Sequence, residues 1–280
     1  MAITARSEHR CFGGRMVFCA SPSAATGTEM RFAVFVPPQA EHGKVPALYW
    51  LAGLTCTEET FVTKAGAQGE AARLGLMLVA PDTSPRGAGI PGEEEDWDFG
   101  TGAGFYLDAT AEPWSRNYRM ARYVTQELPA LVEDAFPAAP GVRGVFGHSM
   151  GGHGALVTAL RDPARWRSVS AFAPIANPAA VPWGEKAFSR YLGPDRAAWA
   201  AWDASALMRE RAYPGRILVD QGLADQFLET QLKPEALEAA AARSGQDLLL
   251  RRHPGYDHSY WFIQSFIAEH LAHHAGALCR

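Results

Sequence analysis

The chain has 280 residues, 48% of them apolar and 20% charged, which excludes disordered and collagen-like classes and suits a packed globular protein. A chain of this length buries roughly three quarters of its unfolded surface, so a single domain over residues 1–280 is expected. The net charge of -4 leaves no basic field to gather phosphates, which argues against nucleic acid and for a small-molecule partner.

The opening MAITARSEHRCFGG lacks the apolar stretch and small-residue cleavage site of a signal peptide. No window reaches eighteen uninterrupted apolar residues, so a cytoplasmic location without a membrane partner is expected. Residues 30–36 alternate toward the Pro37-Pro38 stop and read as an edge strand of an antiparallel hairpin. Short Val-, Leu- and Ile-rich runs at 47–51, 76–80, 144–146, 169–174 and 217–220 read as strands. Between and after them, 64–74, 119–136, 151–160, 233–244 and 260–273 read as helices, with Gly75 and Gly245 at C-cap positions. This alternation predicts an α/β fold with a mostly parallel central sheet flanked by helices on both faces. Residues 82–114 carry Gly, Pro and acids without periodicity, and a loop so long is expected to lie over a functional site. The histidines at 273 and 274 read as a solvated helix end. Cys11, Cys19, Cys56 and Cys279 are scattered and read as free thiols; with no CxxC or HExxH spacing, no metal site or cofactor is expected.

The strongest local signal is Gly147-His148-Ser149-Met150-Gly151, a G-x-S-x-G pattern between a predicted strand and a predicted helix. That is the setting of a nucleophile elbow in the α/β-hydrolase fold, with Ser149 as nucleophile. A serine hydroxyl needs a base, and in this fold an acid and then a histidine follow the serine in the chain. Asp225, just beyond the strand at 217–220, and His258, just before the last helix, stand in that order. Asp220 and Asp257 are alternative acids, though the first ends a strand and the second suits a turn. His253 is an alternative base; His148 and His153 lie too near Ser149 in sequence to swing over its Oγ. Acyl transfer also needs donors for an oxyanion, and the backbone N–H groups of Met150 and of Leu54, after the strand at 47–51, are the candidates.

Five longer motifs go further. GLTCTEE at 53–59, WDFGTGAGFY at 97–106, GHSMGGHGAL at 147–156, ADQFL at 224–228 and GYDHSY at 255–260 together closely resemble the S-formylglutathione hydrolase (esterase D) family, from about Cys11 to Leu271. The resemblance implies a cytoplasmic, commonly dimeric thioesterase without metal, which splits S-formylglutathione into glutathione and formate. It carries the triad to Ser149, Asp225 and His258, and the oxyanion hole to Leu54 and Met150. It also implies sensitivity to thiol reagents at Cys56, without a catalytic role for that residue. Under this reading Trp97 and Trp183 are candidate walls of a narrow acyl pocket, with core packing as the alternative. Lys186 and Arg86 are candidate cations for the glutathione carboxylates, with a solvated surface charge as the alternative. The chain departs from the family pattern at Val181, where relatives often carry cysteine, and at Trp261, often a smaller aromatic. A general carboxylesterase or an acyltransferase would share every catalytic residue named.

Overall fold

The computed structural model describes residues 2–279. Its strands are β1 Thr4–Cys11, β2 Gly14–Pro22, β3 Glu29–Val36, β4 Val45–Leu51, β5 Met77–Pro81, β6 Ala138–His148, β7 Val169–Phe172, β8 Ile217–Gly222 and β9 Leu248–His253. They join in one sheet in the order β1-β2-β3-β5-β4-β6-β7-β8-β9. The first three strands and the β3–β5 pair are antiparallel, and every pairing from β5 through β9 is parallel. The strands at the centre are buried along their whole length, as in β5, β7 and β8. Such continuous apolar runs arise where helices cover both faces. Helices Glu58–Lys64, Gln68–Leu74 and Tyr260–Leu278 form one covering group; Met150–Arg161, Ala204–Glu210 and Glu235–Ser244 form another. The core includes Trp50, stacked on Phe61 at 4.2 Å and edge-on to Phe146 at 4.8 Å.

The strand order positions the site. From β4 the chain turns one way to β5 and the other way to β6, so the switch point of the sheet lies at the carboxyl ends of β4 and β6, the position where open α/β sheets bind ligands. Register aligns these ends: Leu51 sits opposite Gly147, His148 opposite Phe172, Phe172 opposite Asp220, and Gly222 opposite His253. The loops after β4, β6, β8 and β9 therefore leave the sheet side by side.

Several expectations need correction. The strand around 30–36 is interior, flanked by β2 and β5; the edge is β1, whose TARSEHRC is almost wholly exposed and so has no apolar alternation to read. The helix expected over 64–74 begins only at Gln68; Lys64 ends an earlier helix, Glu58–Lys64, and Gly66 at φ 64° lies between the two. Lys233 lies in the left-handed region at φ 50°, which delays the helix expected from 233 until Glu235. The helix expected over 119–136 contains a π-turn at Tyr123–Glu127. The loop 82–114 is more than a cover, since Phe99, Phe105, Tyr106 and Leu107 are buried in it. The predicted solvated end at 273–274 is packed instead: His274 is fully buried between Ser168 Oγ at 2.6 Å and Ser170 Oγ at 2.9 Å, and His273 Nε2 lies 3.1 Å from the Val169 carbonyl. Among the described residues no helix is long and apolar enough to cross a membrane.

Candidate active site

Ser149 sits between β6 and the helix Met150–Arg161 at φ 58°, ψ −120°, backbone that a residue with a Cβ adopts only under constraint. The constraint is visible. Its N–H donates to the Phe172 carbonyl at 3.0 Å, and its carbonyl accepts from His153 at 3.0 Å and Ile175 at 3.3 Å. The turn admits no side chain two residues to either side of Ser149: a Cβ on Gly147 would stand 2.3 Å from the Gly151 carbonyl oxygen, and one on Gly151 1.9 Å from that of Leu51. The two glycines of the motif are thus a steric requirement of the elbow.

Asp225 and His258 meet. His258 Nδ1 lies 2.5 Å from Asp225 Oδ2, with the carboxylate buried and the imidazole largely so. The other carboxylate oxygen accepts the Phe227 N–H at 2.9 Å. The two loops can approach because Gly222 has no side chain; a Cβ there would stand 2.4 Å from the Tyr256 carbonyl oxygen. The His258 ring lies 4.3 Å from that of His148, the residue before Ser149. Ser149 Oγ has no hydrogen-bond partner among the described residues, and such bonds are often long until substrate is bound.

The alternative acids and bases are engaged elsewhere. Asp220 is wholly buried and paired with Arg251 and His270, and Asp257 accepts from the Ser259 N–H at 3.0 Å and Oγ at 2.5 Å. His253 Nε2 lies 3.3 Å from Asp220. Burial, and then the neighbouring His258, push His148 well below its ordinary range, and burial lowers His153 to about 4. Both are therefore neutral near pH 7. His153 Nε2 rests 2.7 Å from the Trp202 carbonyl.

The turn after β4 faces the elbow, since a Cβ on Gly53 would lie 3.3 Å from that of Ser149. Neither the Leu54 nor the Met150 N–H has an acceptor among the described residues. Met150 is the first residue of its helix, where a free N–H and the helix dipole favour negative charge. The turn is fixed from outside: Thr55 N–H donates to Gly102 at 2.9 Å, Tyr106 Oη to Ala52 at 2.9 Å and Thr83 Oγ1 to Cys56 at 2.6 Å. Tyr106 and Phe227 escaped the sequence reading. Phe227 had a local signal, two residues past Asp225, whereas the Tyr106 contact spans 54 residues and had none.

The remaining candidates separate. Trp183 is buried, 4.7 Å from the Phe227 ring, which in turn lies 5.1 Å from His258. Trp97, 58% exposed, stands edge-on to Trp183 at 5.7 Å. Lys186 is held by Asp98 at 2.5 Å and Asp96 at 3.0 Å. Arg86 grips Asp82 through Nε at 2.6 Å and Nη2 at 2.9 Å. Each candidate cation thus has a carboxylate partner in the fold, and Arg86 Nη1 is unengaged among the described residues. Burial pushes the Cys56 thiol up against the opposing hydrogen bonds of Thr60 and Tyr260, so it is not an activated thiolate. Among the described residues no group of three His, Cys, Asp or Glu could hold a metal ion.

The profile of the esterase family, described as putative esterase, matches residues 23–273. The S-formylglutathione hydrolase of Mus musculus is 54% identical over 98% of each chain, and that of Paracoccus denitrificans 55% identical over 97% of each. The solved S-formylglutathione hydrolase of Agrobacterium tumefaciens superposes with a TM-score of 0.95 at 47% identity, covering 98% of this chain and 99% of that one.

Proposed function

We propose, because the chain belongs to the esterase family and within it to the S-formylglutathione hydrolases, that it hydrolyses S-formylglutathione to glutathione and formate through an acyl-enzyme on Ser149. The observation that carries the mechanism is the 2.5 Å bond between His258 and Asp225 beside the strained Ser149 turn. Ser149 Oγ attacks the formyl carbon while His258 Nε2 takes its proton, and Asp225 holds the imidazole through Nδ1. The carbonyl oxygen becomes an oxyanion facing the free N–H groups of Leu54 and Met150. One such donor is typically worth about 2.7–4 kcal/mol in the transition state. The C–S bond then breaks and the proton on His258 passes to the glutathione sulfur. Water attacks the formyl ester, giving its proton to His258; formate departs, and Ser149 recovers a proton from His258. A thiol is a far better leaving group than an alcohol, so most of the catalytic demand falls on the oxyanion donors.

We place the protein in the cytoplasm as a homodimer; four cysteines without a disulfide suit a reducing compartment, and its mass in solution tests the dimer. The activity is tested by kcat/KM for S-formylglutathione beside S-acetylglutathione and an aryl acetate. A strong preference for the formyl thioester is expected, and comparable rates on all three would reduce the enzyme to a general esterase.

His258 protonates the leaving sulfur, so the leaving group lies on its side of the site. The row Phe227–Trp183–Trp97 runs from that ring to solvent. A tripeptide too large for a buried pocket extends along it, with Trp97 as its outer platform. Trp97→Ala is expected to raise KM for the glutathione thioester about 10-fold, as loss of a large apolar contact surface does, and to leave an aryl acetate unchanged. Equal effects on both substrates would remove Trp97 from glutathione binding.

A further inference from the structure

A second carboxylate–imidazole pair lies beneath the carboxyl ends of β7 and β8. Asp220, wholly buried, receives Arg251 Nε and Nη2 at 2.6 Å each and His270 Nε2 at 3.2 Å, with His253 Nε2 3.3 Å away. His270 Nδ1 lies 2.8 Å from Ser170 Oγ, which in turn meets His274. None of these side chains takes part in the proton path proposed above. Burying a carboxylate and an imidazole so deeply, with a guanidinium that is only partly buried, is seldom a net gain in stability over apolar packing, so the network calls for another reason.

The backbone around Asp220 supplies one. Its carbonyl accepts the Ala173 N–H at 2.7 Å, and Ala173, like Ser149, has a positive φ, 39°. The His270 ring stacks on Phe172, 3.7 Å between centroids and 19° from parallel, and the Phe172 carbonyl holds the Ser149 N–H. On the other side His253, whose ring faces Asp220, accepts through its carbonyl the Leu223 N–H at 3.0 Å and the Tyr256 N–H at 3.4 Å. Those residues stand two before Asp225 and two before His258. Asp220 is thus bonded to the support of the elbow and, through Arg251, to β9, whose last residue His253 holds the loops of the acid and the base.

We propose that Asp220 and His270 are positioning residues that hold the Ser149 elbow in register with the loops carrying Asp225 and His258. This rests on those three residues acting together, but not on glutathione as the substrate. The test uses the full-length protein with Asp220→Asn, His270→Leu and His270→Gln. The last retains an amide able to bridge Asp220 and Ser170. Each variant is assayed for kcat and KM on the formyl thioester and on an aryl acetate, for the rate at which a fluorophosphonate labels Ser149, and for its melting temperature.

Asp220→Asn and His270→Leu are expected to lower kcat and the labelling rate together by about 10- to 100-fold, as misplacement of a reacting group by an ångström does. KM should stay within about threefold on both substrates, since no ligand contact is lost. His270→Gln should recover the labelling rate that His270→Leu loses. Wild-type kcat and labelling in folded Asp220→Asn and His270→Leu would overturn the proposal. If Asp220→Asn does not fold, the His270 pair decides: equal labelling by the Gln and Leu variants overturns it. Labelling needs no glutathione, so a wild-type enzyme inactive on the formyl thioester would sink the substrate reading and leave this test intact.

Discussion

Ser149→Ala is expected to lower kcat for the formyl thioester by roughly six orders of magnitude, the loss seen when the nucleophile of a comparable triad is removed. The residual rate would come from the oxyanion donors and substrate binding, which the substitution leaves in place. Alanine keeps the Cβ and the same positive-φ cost, and the turn is held through the backbone of residue 149 by Phe172, His153 and Ile175. The melting temperature should therefore change little, which separates lost chemistry from lost structure. Two measurements check this: thiol release from S-formylglutathione, and the mass of the protein after fluorophosphonate treatment, with wild type modified at Ser149 and the variant unmodified. A variant retaining activity within about 100-fold of wild type would exclude Ser149 as the nucleophile.

The elbow was legible in the sequence because its pattern is local, although part of what demands that pattern, the Leu51 carbonyl, comes from the distant strand β4. Gly147 and Gly151 flank the serine, and the close approaches that demand them come from Leu51 and from the motif itself. The order of Ser149, Asp225 and His258 was legible for a related reason: each lies just past a strand end, and the parallel register brings successive carboxyl ends to one edge. What escaped depends on partners distant in sequence. β1 and the LLLRRH of β9 are sheet edges, exposed enough to lose the apolar signature of a strand. His270 and His274 look like polar residues near a helix end, but their partners, Ser168 and Ser170, lie about a hundred residues earlier. The partner of Lys186 was likewise illegible, because Asp98, 88 residues away, is brought to it only by the fold.

The same long-range pairing sets the stability of the site against acid. Burial alone would raise the carboxyl of Asp220, but His270 and Arg251 outweigh it and hold the group far below the ordinary carboxylate range. A carboxylate depressed in the folded state contributes stability above its unfolded pKa and loses it as pH falls toward its folded one. The pair therefore contributes fully in neutral solution and weakens only in strong acid.

Asp225→Asn should reduce kcat by about 10⁴-fold, as the equivalent change does in a related triad, although the side chain keeps its size. The geometry dictates how the amide must sit. The Phe227 N–H donates to Oδ1 at 2.9 Å and tolerates only an acceptor oxygen there, so the amide nitrogen takes the Oδ2 position, 2.5 Å from His258 Nδ1. Gln221 Nε2, 3.5 Å from Oδ2, adds a weak donor conflict and does not reverse the choice. An amide N–H facing Nδ1 makes that nitrogen the acceptor and moves the imidazole proton to Nε2, the atom that must take the proton of Ser149. The base is then present, oriented and already protonated. KM for the thioester should stay within a few-fold, because no substrate contact is touched, and fluorophosphonate labelling of Ser149 should slow in parallel with kcat. A near-wild-type kcat would mean that another group fixes the tautomer; Asp220 and Asp257 could not supply it without leaving Arg251, His270 and Ser259.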